Sequence, residues 1–99
     1  MDPILTDQRL LEACKYYRVK ELYVFGSFAL NQQTPNSDVD FLVTFERNTY
    51  NGAFEQFMGF KELLEELLQR PVDLLTMKSF RNPLFQEEIN KTKQLIYAA

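Results

Sequence analysis

Apolar and polar positions change their spacing several times along this chain, and each change marks an element. Leu10, Leu11, Cys14 and Tyr17 recur at three- and four-residue intervals behind Thr6, which predicts a first helix from about Thr6 to Tyr17 with Thr6 as its N-cap. Arg18 to Lys20 then turn the chain. Glu21–Phe25, short, aromatic and β-branched, reads as a buried strand that stops at Gly26, and residues 27–31 suit one helical turn. The polar run Asn31–Asn36, with Pro35 inside it, predicts an exposed loop of the kind that serves a substrate. Val39–Phe45 then alternates β-favouring residues over the length of a strand, ending in Glu46-Arg47-Asn48.

From Phe54 to Leu68 the positions Phe57, Phe60, Leu64 and Leu67 trace a broad apolar helical face, flanked by Met58, Leu63 and Leu68. Glu55, Lys61, Glu62, Glu65 and Glu66 form the solvated face opposite. Pro71 breaks this helix, and Val72–Thr76 reads as a third strand. Asn82 followed by Pro83 gives an N-cap and a first-turn proline, with Phe85, Ile89, Thr92 and Ile96 lining one face of a last helix. The predicted order is α-β-(turn)-β-α-β-α over a single domain of residues 1–99. It implies an α+β, two-layer fold in which a small mixed or antiparallel sheet packs against helices.

Composition narrows the chemistry. At 45% hydrophobic and 14% aromatic, 99 residues supply one real core. The net charge is −3, with Lys and Arg scattered singly, which argues against strong nucleic-acid binding. With no His and one Cys, neither a His-based triad nor an ordinary zinc site can be assembled, and Cys14 reads as a small core residue. Met1-Asp2-Pro3-Ile4 does not open a signal segment, and no apolar run approaches the roughly 20 residues that cross a bilayer. No membrane role and a cytoplasmic location are the expectation. Phe54, Phe57 and Phe60 read as core, whereas Phe28, Tyr50 and Phe80 are candidates to stack on a base or meet a partner. The aromatic content leaves pairing of the chain with itself open.

Asp38, Asp40 and Asp73 stand in or beside apolar strand segments. Asp38 and Asp40, two apart, share a strand face at a separation of roughly 7 Å. An unpaired buried carboxylate costs several kcal/mol, so acids among Val, Leu and Phe suggest metal coordination or a shared polar cleft. The plainer reading places them at strand ends in water, and Asn36-Ser37-Asp38 also suits turn and capping chemistry. If the strands are neighbours, Asp73 completes a carboxylate triad. Oxygen ligands without His or Cys select Mg²⁺ or Mn²⁺, and two such ions roughly 3.5–4 Å apart would serve in-line displacement at a triphosphate. Gly26 would let the backbone approach a phosphate oxygen, and Ser27 with the amides of the following turn could donate to it.

Gly26-Ser27-Phe28-Ala29, then Ser37-Asp38-Val39-Asp40-Phe41-Leu42-Val43, then Val72-Asp73-Leu74-Leu75-Thr76, resemble the minimal nucleotidyltransferases of the polymerase-beta superfamily. The resemblance runs from Glu21 to the last helix. It implies transfer of a nucleoside monophosphate from a nucleoside triphosphate to an acceptor hydroxyl, with Asp38 and Asp40 binding both metals. It further implies that Asp73 binds the metal that activates the acceptor and takes the acceptor's proton, that Gly26 and Ser27 hold the triphosphate, and that Ser37 sets the approach to the acids by a local hydrogen bond. Minimal domains of this family are similar to the antitoxin halves of two-gene modules. The partner implied is therefore a helical HEPN-type protein whose tyrosine receives AMP from ATP.

Two positions depart from the family pattern. Many relatives carry a basic residue where this chain has Phe28 and a glycine where it has Asn31. These departures, with the lack of the second domain that larger relatives carry, keep open a binding module that retains the fold and neutralises a partner by contact. A glycosyltransferase reading of Asp38-Val39-Asp40 is disfavoured, because that chemistry needs a larger nucleotide-binding domain.

Overall fold

The computed structural model describes residues 3–46, 52–76 and 82–99. Among them are the helices α1 (Gln8–Tyr16), α2 (Ala53–Leu68) and α3 (Pro83–Thr92) and the strands β1 (Val19–Phe25), β2 (Val39–Phe45), β3 (Val72–Leu75) and β4 (Gln94–Ala98). The strands form one open mixed sheet in the order β3-β2-β1-β4. β1 lies antiparallel to β2 and to β4, and β2 runs parallel to β3 through the α2 crossover. The fold is α+β, as the patterning predicts, with a mixed sheet.

One sheet face carries the main core. Leu22, Val24, Val39, Phe41, Val43, Val72 and Leu74 cluster with Leu10, Ala13 and Cys14 of α1 and with Phe60, Leu64 and Leu68 of α2. Each large side chain removed from water here contributes about 1.5–3 kcal/mol. The opposite face is more thinly covered: Phe25 and Leu42 meet Ile89 of α3, with Tyr23 and Leu75 beside them. Strand alternation places Asp40 and Asp73 on this second face, between the inward Val39 and Phe41 and between Val72 and Leu74.

Several elements differ from expectation. α1 starts later than Thr6, because Pro3–Thr6 form a 3-10 turn and Asp7 is the N-cap, its carboxylate accepting from the Arg9 amide at 2.8 Å. β1 already begins at Val19. Tyr17 and Arg18 make the turn before it, Arg18 by taking a left-handed backbone, φ 56°. α2, by contrast, ends at Leu68 as the patterning predicts, ahead of Pro71, with Gln69 left-handed at its C-cap. Phe54 is exposed at 72%, whereas Phe60 is fully buried. Glu65 is more than a solvated acid: it pairs with Lys61 at 3.4 Å and accepts from the Val72 amide at 3.1 Å, tying α2 to β3.

The largest correction is β4. The last helix stops at Thr92, Lys93 turns extended, and Gln94–Ala98 pairs with β1, so Ile96 reaches the main core from a strand. Asn82 does cap α3, accepting from the Leu84 amide at 2.9 Å. Arg47, Asn48, Tyr50 and Phe80 lie outside the described residues.

Candidate functional site

Antiparallel pairing brings the end of β1 beside the start of β2, and parallel pairing brings the start of β3 beside it as well. Phe25 therefore faces Asp40, and Asp40 faces Asp73, in one row across the sheet. Gly26 follows Phe25 directly and takes φ 70°, a backbone that L side chains rarely adopt. A Cβ added there would run into Oδ2 of Asp40. Residues 26–28 then form a 3-10 turn, its Gly26 carbonyl accepting from the amides of Ala29 and Leu30 at 3.1 and 3.3 Å. The Ser27 carbonyl accepts from the Gln32 amide at 2.9 Å. Among the described residues no hydrogen bond within the chain engages the Ser27 hydroxyl.

Asp40 is half-buried, while Asp38 and Asp73 are exposed. The plainer reading, strand ends in water, thus describes two of the three acids. Burial, then Asp73, then Asp38 push the Asp40 carboxyl up to about 6 from its ordinary 3.8. Among the described residues the ion pairs are Arg9–Asp7, Lys61–Glu65 and Lys91–Glu87, so no ion pair offsets the charge at these acids.

As placed, and among the described residues, no three acidic, cysteine or histidine side chains close up enough to enclose an ion. The donor chemistry nevertheless fits a hard divalent cation. It offers carboxylate oxygen only, and the half-buried Asp40 beside two like charges is the environment that a positive charge relieves.

Ser37 sits one step back from the acids. Its hydroxyl accepts from the Thr34 amide at 2.8 Å, and its own amide donates to the Thr34 carbonyl at 3.0 Å, closing the turn that leads into Asp38. Phe28 is buried at 1% and forms part of the main core, which removes it as a surface for a base to stack on. Asn31 takes φ 56°, so the departure from glycine keeps a left-handed backbone that asparagine tolerates well.

Sequence reasoning missed two residues. Arg70 donates to the carbonyls of Thr34, Pro35 and Ser37 at 2.9, 3.4 and 3.2 Å, and its guanidinium lies 5.0 Å from the centre of the Phe28 ring. Gln94 donates to the Ala29 carbonyl at 2.5 Å, fastening β4 to the turn after Gly26. The position of Arg70 just before Pro71 and three residues before Asp73 was the available signal, but its partners lie in a loop more than thirty residues away.

A family model described as a nucleotidyltransferase domain matches residues 7–96. A protein of Methanocaldococcus jannaschii, provisionally named a protein adenylyltransferase, is 41% identical over 81 residues, covering 82% of this chain and 78% of its own. A solved structure, provisionally named a minimal nucleotidyltransferase, superposes with a TM-score of 0.73 at 26% identity over 88% of this chain and 85% of that one. A complex of tri-AMPylated HEPN toxin with MNT antitoxin from Shewanella oneidensis gives a TM-score of 0.63 at 15% identity, covering 96% of this chain and 71% of the matched one. At that identity the likeness is one of fold. The chain belongs to the nucleotidyltransferase domain family, and it is a nucleotidyltransferase.

Proposed function

We propose that this chain, working as a single domain in the cytoplasm, transfers AMP from ATP to a tyrosine hydroxyl of a helical HEPN-type partner and so acts as an antitoxin. The observation that carries this reading is the convergence of Asp38, Asp40 and Asp73 at one sheet end, beside the Gly26–Ser27 turn. The relative named a protein adenylyltransferase and the AMPylated HEPN toxin of the structural neighbour support the choice of AMP and of partner.

In this account Gly26 lets the backbone approach the triphosphate, and the hydroxyl of Ser27 donates to a phosphate oxygen. Two Mg²⁺ or Mn²⁺ ions held by Asp38, Asp40 and Asp73 would neutralise the triphosphate and sharpen the acceptor hydroxyl as a nucleophile. The acceptor oxygen bonds to the α-phosphorus, the bond to the bridging oxygen breaks, and pyrophosphate leaves. Asp73, exposed beside Asp40, takes the acceptor's proton. Ser37 holds the turn before Asp38 in shape.

The test is incubation of the chain with Mg²⁺, labelled ATP and a helical partner encoded beside it, followed by mass mapping of the label. AMP on a partner tyrosine is the expected result. A partner that stays unlabelled, yet is neutralised equally well by chains carrying Asp38→Asn and Asp40→Asn, would show that contact alone does the work.

A further inference from the structure

We propose that Arg70 is a positioning residue for this site, fixing Asp38 relative to Asp40 and Asp73. Three observations converge on it. Its Nη1 donates to the carbonyls of Thr34, Pro35 and Ser37, so one guanidinium gathers the turn that feeds into Asp38. The Val39 amide donates to the Pro71 carbonyl at 3.1 Å, so Asp38 is bracketed: residue 37 is held by residue 70, and residue 39 by residue 71. The same guanidinium lies over Phe28, two residues past Gly26.

Arg70 therefore touches both chain segments that flank the acids and lies on the third, three residues before Asp73. Its geometry is particular to arginine. All three bonds leave from the one nitrogen Nη1, and the same planar cation also lies over the Phe28 ring, a combination that a compact lysine ammonium on a flexible stem does not reproduce. Losing this donor frees the turn of residues 34–37 and with it the backbone of Asp38. Val39 remains fixed in β2 and buried in the core.

The inference rests on the proposed function for its consequence in catalysis, but it has readouts of its own. Arg70→Lys and Arg70→Gln are compared with the unaltered chain for Mn²⁺ affinity without nucleotide, for amide exchange at Ser37, and for steady-state AMP transfer. Both variants are expected to fold, to bind Mn²⁺ about tenfold more weakly, and to exchange the Ser37 amide about tenfold faster. Transfer should lose kcat with KM for ATP changed by less than about threefold, because the carbonyls Arg70 holds are those of residues 34, 35 and 37 rather than of Gly26 or Ser27. Unchanged Mn²⁺ affinity and exchange in both variants would overturn the inference, as would an unaltered chain that binds no Mn²⁺. If the unaltered chain binds Mn²⁺ but transfers no AMP, the adenylyltransferase reading fails, and Arg70 is still decided by the binding and exchange results.

Discussion

Burial and two acidic neighbours set the behaviour of Asp40, whose carboxyl lies near 6 rather than at 3.8. In the metal-free chain the folded state binds a proton there between about pH 4 and 6 while the unfolded state has largely released it. Stability therefore falls as pH rises through that window, and the cost is complete above it. Asp40→Asn removes the charge, so urea unfolding in chelator at pH 7.5 should show the variant more stable by about 1–2 kcal/mol, an advantage that disappears below about pH 4. A variant destabilised at pH 7.5 would contradict this. Gly26→Ala works the other way: a left-handed backbone and a Cβ driven into Asp40 should cost about 1–3 kcal/mol by the same measurement. Cys14 is fully buried and its thiol is pushed up to about 12, so in the native chain at pH 8 it should resist a thiol reagent that modifies the unfolded chain quickly. At this scale Asp40 and Asp73 were legible as lone acids inside apolar strand segments, whereas Asp38 lies one residue before β2, in the chain that leads into the strand rather than on its face. Arg70 was not, because its partners are carbonyl oxygens, which every residue carries.

Among the elements, β2 and α2 were readable because pattern, length and boundary agreed: β2 runs over Val39–Phe45 as predicted, and α2 begins one residue before Phe54. β4 was hidden by coincidence. Ile89, Thr92 and Ile96 keep helical spacing across Lys93, and no glycine or proline marks the switch to strand. The missed strand matters to the site, since Gln94 reaches from it to the Ala29 carbonyl. Gln94→Ala should lower stability by about 1 kcal/mol and loosen amide exchange at Ala29 and Leu30. The helical layer depends on α2, where Phe60 is fully buried and its ring lies 5.8 Å from Tyr17 and 5.9 Å from Phe45. Phe60→Ala should cost about 3–5 kcal/mol, which thermal unfolding would show as a large fall in Tm.

For the whole molecule, the division between the two sheet faces organises the account. One face holds the core against α1 and α2, and the other carries the acids beside the small cluster under α3. No helix among the described residues is long and apolar enough to cross a membrane. Asp38, Asp40 and Asp73 carry no ion pair among the described residues, a cost that falls on the half-buried Asp40 and that bound cations would relieve in the proposed phosphate chemistry. The fold class was legible from the alternation of strand and helix patterns. The convergence of Gly26, Asp38, Asp40 and Asp73 needed the sheet order, which no single segment encodes. The central claim is that this convergence is a phosphoryl-transfer site. Its most direct test is transfer of label from α-labelled ATP to the partner, with Mg²⁺, by the unaltered chain and by a folded chain carrying both Asp38→Asn and Asp40→Asn. The account predicts transfer by the first and none above background by the second. Equal transfer by both would contradict it.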